Sequence, residues 1–136
     1  MFTSEAQIRV RYAETDQMGY VYYGNYATYY EVARIESLRH LGFSYKKLES
    51  RGVMMPVLEL KSKYIKPGIY DDLLTIKVKI ASFPKVRIHF EYEIFNEENI
   101  LINVGETTLV FVDIKTKKPC KMPDEMVELF KPYFDV

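Results

Sequence analysis

The chain has 136 residues, 48% hydrophobic and 28% charged, with 19 basic and 19 acidic side chains that leave no formal net charge. These values fit one globular domain over residues 1–136 with a core of its own, and they supply no basic surface for nucleic acid or an anionic membrane. Cys120 is the single cysteine, no apolar run approaches the ~20 residues of a bilayer span, and Met1–Glu5 lacks the basic and apolar regions of an export signal, so a reducing, cytoplasmic setting without membrane insertion is expected.

Residues 6–13 set Ile8, Val10 and Tyr12 against Gln7, Arg9 and Arg11, the period of a half-buried strand. Asp16-Gln17-Met18-Gly19 supplies turn chemistry, and a helix is predicted from about Tyr23 to Leu41 with Gly42 as its stop. Its first turns are apolar nearly all round, which predicts burial on most sides, and Glu31/Arg34 and Glu36/Arg39 read as surface pairs. Residues 43–55 form a short helix or loop. Strands follow over Val57–Lys66, closed by Pro67-Gly68, then over Leu74–Ile80, Val86–Ile94 and Ile100–Val112, with a short helix after Pro123. One helix followed by successive strands on hairpin-length turns predicts an α+β fold with an antiparallel sheet of about five strands curved around the helix.

The familiar catalytic signatures are missing. His40 and His89 stand in no metal-ligand spacing, Cys120 has no neighbouring ligand, so no metal is expected, and there is no nucleotide loop or nucleophile elbow. A dehydratase or hydratase would need a helix-borne or loop-borne His paired with a carboxylate, and neither His40 nor His89 sits at a helix start. What remains is Asp16. It suits a turn or a helix cap, and it also suits chemistry, because the N–H groups near Tyr23 and Gly24 open the long helix without intrahelical acceptors. Such donors can hold a carbonyl oxygen that turns negative, and Gly24 leaves room for a substrate beside the backbone. Of the 12 tyrosines, several crowd between positions 20 and 30, where large rings with polar tips suit a pocket wall, a subunit contact or a core.

The run Arg11-Tyr12-Ala13-Glu14-Thr15-Asp16-Gln17-Met18-Gly19-Tyr20-Val21-Tyr22-Tyr23-Gly24-Asn25-Tyr26, continued by Glu31-Val32-Ala33-Arg34, resembles the 4-hydroxybenzoyl-CoA thioesterase branch of the hot-dog-fold acyl-CoA thioesterases. Pro67-Gly68 with Asp71-Asp72, and Thr107-Thr108 with Val110, Val112 and Asp113, extend the likeness over most of the chain. The resemblance implies a long central helix wrapped by the sheet, homodimers or homotetramers whose sheets join edge to edge, and sites between subunits. It implies Asp16 as the catalytic carboxylate and the Tyr23 N–H as the donor to the thioester carbonyl. Relatives commonly carry His where this chain has Tyr23; the backbone donor survives that change, and the side chain reads as a hydroxyl donor or, by preference, as pocket wall. The substrate would be an acyl-CoA, with no separate cofactor, because a thiolate leaves without a strong general acid. Tyr12, Tyr22, Asn25, Tyr26 and Met55 are expected along the acyl group, Met54-Met55-Pro56-Val57 resembling a segment near the partner's site. Lys63, Lys66, Lys85 and Arg87 are the candidates for the phosphates of CoA, each otherwise an ordinary solvated cation. The alternative is a catalytically weak hot-dog protein that binds acyl-CoA or acyl carrier protein.

Overall fold

A computed structural model describes residues 1–135. The strands are β1 (Phe2–Arg9), β2 (Val53–Met54), β3 (Val57–Tyr64), β4 (Leu73–Ile80), β5 (Arg87–Phe95), β6 (Leu101–Val110) and β7 (Val112–Asp113); the α-helices are α1 (Asn25–Leu41), α2 (Tyr45–Ser50) and α3 (Asp124–Phe130). Five strands form an antiparallel sheet in the order β1-β4-β5-β6-β3, and β2 and β7 pair separately. The α+β class and the strand count agree with the periodicity. The first strand lies earlier than its alternation suggested, because a turn of 3-10 helix (Tyr12–Glu14) ends the pairing after Arg9.

Alternation decides which face meets the helix. Leu74, Ile76, Val78 and Ile80 on β4, and Ile88, Phe90, Tyr92 and Ile94 on β5, are buried, while Lys77, Lys79, Glu91 and Glu93 face outward. The outer face carries cross-strand ion pairs such as Lys79–Glu91 at 3.6 Å, exposed enough to add only tenths of a kcal/mol. Helix α1, of 17 residues, lays Tyr26, Tyr29, Tyr30, Ala33, Leu38 and Leu41 on the inner face. In the single chain Ala27, Thr28 and Glu31 remain exposed, so the helix is buried on one side and not on most sides. Gly42, at φ 104°, reverses the chain, and its N–H and that of Phe43 both donate to the Leu38 carbonyl, at 3.0 and 2.9 Å.

Arg34 departs from its expected surface pairing. It is buried, and its Nε and Nη1 donate to the hydroxyls of Tyr45 and Tyr92, both at 3.2 Å. Glu36 and Arg39 do pair. The Arg34 contact belongs to a polar layer between helix and sheet. Tyr92 shares a 2.7 Å hydrogen bond with Thr107, and its ring stacks on that of Tyr30 at 4.4 Å. Tyr30 in turn donates to Asn103 and meets Ser62 at 2.7 Å. Burial pushes the Tyr30 phenol up to about 12, so it stays a neutral donor. Each group satisfies another that water cannot reach, and an orphaned partner would cost about 1–3 kcal/mol.

Gly105 lets the tip of Tyr30 reach this layer. A Cβ there would fall inside the Tyr30 hydroxyl and ring, and Tyr30 is wholly buried with no room to swing away. Gly105→Ala should therefore lower stability by about 2–3 kcal/mol, as overpacking of a filled core does, read as a reduced urea midpoint with an unchanged slope.

Candidate active site

The site grows from the end of β1. There the Val10 N–H donates to Asp72 at 2.9 Å and the Asp71 N–H donates back to Val10 at 2.9 Å, which fixes the exit of the strand. The chain then folds over Glu14, the one carboxylate among the described residues that is buried. Glu14 Oε1 accepts the Arg11 N–H at 2.9 Å and the Tyr29 hydroxyl at 3.0 Å, and Oε2 accepts Arg11 Nε and Nη2 at 3.1 and 2.8 Å. Burial pushes this carboxyl up, but the Arg11 and Tyr29 donors outweigh it and hold the group below the usual carboxylate range. Its backbone carbonyl accepts two more bonds, from the Tyr22 N–H at 2.9 Å and Asn25 Nδ2 at 2.8 Å. Glu14 thus joins the strand exit to the start and the second turn of α1. Residue pattern gave no sign of it beyond a carboxylate three residues after Arg11.

Asp16 stands two residues on, at the surface. Its Oδ1 accepts the N–H groups of Met18 at 2.9 Å and Tyr20 at 3.2 Å, while its backbone closes the loop through Asp16 N–H to Tyr20 O at 2.8 Å. Gly19, at φ 78°, makes the tight return possible. An isolated bridge, Thr15–Val21, closes the loop on itself, and a second, Tyr20–Ile69, ties it to the segment after β3. Two roles coexist in one side chain: Oδ1 builds the turn, and Oδ2 has no hydrogen-bond partner among the described residues.

Helix α1 opens at Asn25, two residues later than predicted. The Asn25 and Tyr26 N–H groups are already used, by the carbonyls of Tyr22 (2.9 Å) and Tyr23 (3.3 Å). Among the described residues the N–H groups of Tyr23 and Gly24 find no acceptor. The expected donor therefore sits in the turn ahead of the helix, still on its positive end. A Cβ on Gly24 would meet the Tyr22 ring at 3.0 Å, so the glycine lets that ring lie across the turn. The rings of Tyr22 and Tyr23 are 4.6 Å apart, and Tyr64 stands edge-on to Tyr23 at 6.3 Å and to Tyr26 at 5.4 Å. Tyr64 is a member of this cluster that lies outside the 20–30 run, brought in by the end of β3.

The other candidates divide by position. Tyr12, 79% exposed, packs edge-on to Tyr70 at the rim. Asn25 is held by Glu14, and Tyr26 is buried with its hydroxyl accepting the Gly68 N–H at 3.3 Å, so the polar ends of both serve the fold. Met55 is buried beside the start of β3. Lys63 is exposed on β3, and Lys66 is exposed just past its end, on the side of the sheet where the Asp16 loop lies. Lys85 and Arg87 precede and open β5, whose other end, Phe95, borders that loop's side of the sheet. Roughly 26 Å of strand separates them from the Asp16 end of the same chain, so they cannot serve that site within one subunit. Of the histidines, His40 meets Ser4 at 2.5 Å and His89 lies on the outer face against Thr108 at 2.8 Å, both away from the loop. Among the described residues no group of three or more His, Cys, Asp or Glu could hold a metal ion.

A five-stranded antiparallel sheet laid against one helix, with a carboxylate loop at the helix N-terminus, is the arrangement of the hot-dog-fold thioesterases. The thioesterase-like superfamily profile matches residues 10–130, and the chain belongs to that family. The acyl-CoA thioester hydrolase YbgC of Escherichia coli is 38% identical over 124 residues, 91% of this chain and 92% of that one. The YbgC acyl-CoA thioesterase of Haemophilus influenzae is 29% identical over 124 residues, 90% of each chain. Among solved structures, a DHNA-CoA thioesterase from Staphylococcus aureus superposes with a TM-score of 0.93 at 37% identity, covering 98% of this chain and 91% of that one. The enzyme is a thioester hydrolase by class.

The Glu14 anchor has a testable pH signature. A carboxyl held below its unfolded value stabilises the fold above the unfolded pKa, and that contribution disappears as pH falls through the folded one. Glu14→Gln should lose about 1–3 kcal/mol at neutral pH, and the gap from the parent should close in acid, followed by urea unfolding across pH.

Proposed function

We propose that this chain hydrolyses acyl-CoA thioesters to the free acid and CoA, with Asp16 as the reacting carboxylate and the N–H groups of Tyr23 and Gly24 as the oxyanion donors. One observation carries the reading: a carboxylate with an unengaged oxygen shares a short loop with two backbone donors that no other group occupies. The hydrogen bonds to Oδ1 aim Oδ2 outward, and the helix dipole adds positive potential where the carbonyl oxygen would gain charge. Two routes fit this geometry. Oδ2 attacks the thioester carbonyl to give an acyl anhydride that water cleaves, or it takes a proton from a water that attacks directly. In both, CoA leaves as a thiolate, which needs no strong acid and matches a loop without a histidine.

The activity is assigned to a cytoplasmic homo-oligomer built from a single hot-dog unit, needing no cofactor beyond the CoA of its substrate. No helix among the described residues is long and apolar enough to cross a membrane. Names of relatives support the substrate class, YbgC being called an acyl-CoA thioester hydrolase. Tyr12, Tyr22 and Tyr23 are proposed as wall for the acyl group, and Lys63 and Lys66 as partners for CoA phosphates.

Thiol release from a panel of acyl-CoA thioesters tests this directly. Asp16→Asn, with its circular dichroism and urea midpoint unchanged, is expected to lose at least ~10²-fold in turnover; full activity in that variant would reject Asp16. Label found in Asp16 after a single turnover in ¹⁸O water identifies the anhydride route, since it enters there only when water opens an anhydride at the Asp16 carboxyl carbon.

A further inference from the structure

The two free N–H groups at the start of α1 belong to peptide groups whose carbonyls are occupied. The Tyr23 N–H shares its peptide with the Tyr22 carbonyl, which accepts the Asn25 N–H at 2.9 Å. The Gly24 N–H shares its peptide with the Tyr23 carbonyl. That oxygen accepts the Tyr26 N–H at 3.3 Å and the Tyr64 hydroxyl at 3.4 Å. The backbone bonds come from the first turn of α1 itself, whereas Tyr64 reaches the turn from the sheet, 41 residues away in sequence. Its own place is fixed. Tyr64 ends β3 opposite Asn103, and the next two N–H groups, of Ile65 and Lys66, both donate to the Ile102 carbonyl at 2.9 and 3.1 Å.

We propose that Tyr64 is a positioning residue for thioester hydrolysis, its hydroxyl holding and polarising the Tyr23–Gly24 peptide so that the Gly24 N–H meets the developing oxyanion, a role that rests on the reading of the Asp16 loop given above. The C=O and N–H of a trans peptide lie in one plane and point opposite ways, so a bond at the carbonyl fixes the direction of the N–H. It also makes the N–H a stronger donor, because linked hydrogen bonds polarise one another. This peptide is the one in need of help. Its backbone bond, at 3.3 Å, lies beyond the usual N–H···O range, and Gly24 has no Cβ to restrict rotation. The hydroxyl too stands off in the free loop. As the Gly24 N–H donates to an oxygen that gains charge, the Tyr23 carbonyl becomes a better acceptor and draws the hydroxyl in. The contact therefore strengthens toward the transition state, which raises turnover and leaves substrate binding alone.

Other phenols close to α1 are spent elsewhere. Tyr29 donates to Glu14, Tyr30 to Asn103, Tyr92 shares its bond with Thr107, and Tyr26 accepts the Gly68 N–H. Tyr64 is the one of these five whose oxygen meets a donor peptide. Ring and hydroxyl also have separate work in Tyr64. The ring packs edge-on to Tyr23 and Tyr26, while the residue is 52% exposed, so its oxygen is not needed to satisfy a buried partner.

Tyr64→Phe removes the oxygen and keeps the ring. With the acyl-CoA that the parent turns over fastest, kcat is expected to fall about 10-fold with KM unchanged, less than for outright loss of an oxyanion donor. The urea midpoint should stay at the parent's value. In a ¹⁵N spectrum the Gly24 amide, which senses what its own peptide carbonyl accepts, should shift while the amides of α1 beyond Tyr26 hold still. An unchanged kcat or an unmoved Gly24 signal overturns the proposal. So does a rise in KM with kcat intact, which would make the hydroxyl a substrate contact. Asp16→Asn in the same assay reads the carboxylate separately: full activity there counts against Asp16, while a Tyr64→Phe loss confined to kcat still supports the donor peptide.

Discussion

The candidate site depends on one buried carboxylate, both of whose oxygens are engaged by bonds within the fold. Glu14 gathers Arg11 and Tyr29 onto its side chain and Tyr22 and Asn25 onto its carbonyl, and those four residues belong to the strand exit, the helix approach and the helix itself. A loop and a helix N-terminus are each easy to make. Holding a carboxylate and a pair of backbone donors at a constant separation is harder, because both lie on segments without regular pairing. Glu14 supplies that constancy from beneath, leaving the exposed oxygen of Asp16 and the two N–H groups free for a ligand. Charge-assisted bonds suit the task, since they are shorter and stiffer than neutral ones.

The division between fold and site explains what could be read from residues alone. Strand alternation on β4 and β5 is nearly complete, because one face is core and the other water, so burial and sequence carry the same period. Helix α1 was legible for the same reason at its C-terminal end, where Gly42 stops it. Its start was two residues off because Tyr23 and Gly24 take a turn that differs from helix by a hydrogen bond, which composition does not encode. The turn at Asp16 was legible through the loop chemistry around it, and its expected role came from the family pattern. Glu14 was not, since its partner Tyr29 lies 15 residues away and only the folded turn brings the two together. Arg34 misled for a related reason: spacing to Glu31 looked like a surface pair, yet the acceptors are phenol oxygens from α2 and β5.

Position along the strand is the other thing a linear reading misses. Lys85 and Arg87 carry the right charge for phosphates and stand at the wrong end of their own sheet. They open β5 at Arg87, whereas Phe95, at its other end, is the residue that borders the side of the sheet where the Asp16 loop lies.

The polar layer inside the fold holds groups whose charge state acid does not change. Arg34 stays protonated, and the phenols of Tyr30 and Tyr92 stay neutral because burial raises them further. Among the described residues Glu14 is the one buried group that acid converts. Acidification therefore loosens the junction of strand and helix while the layer between helix and sheet keeps its bonds. Among the described residues, the acid-sensitive contact of the interior therefore lies beneath the Asp16 loop, at the junction that sets the loop against the start of α1.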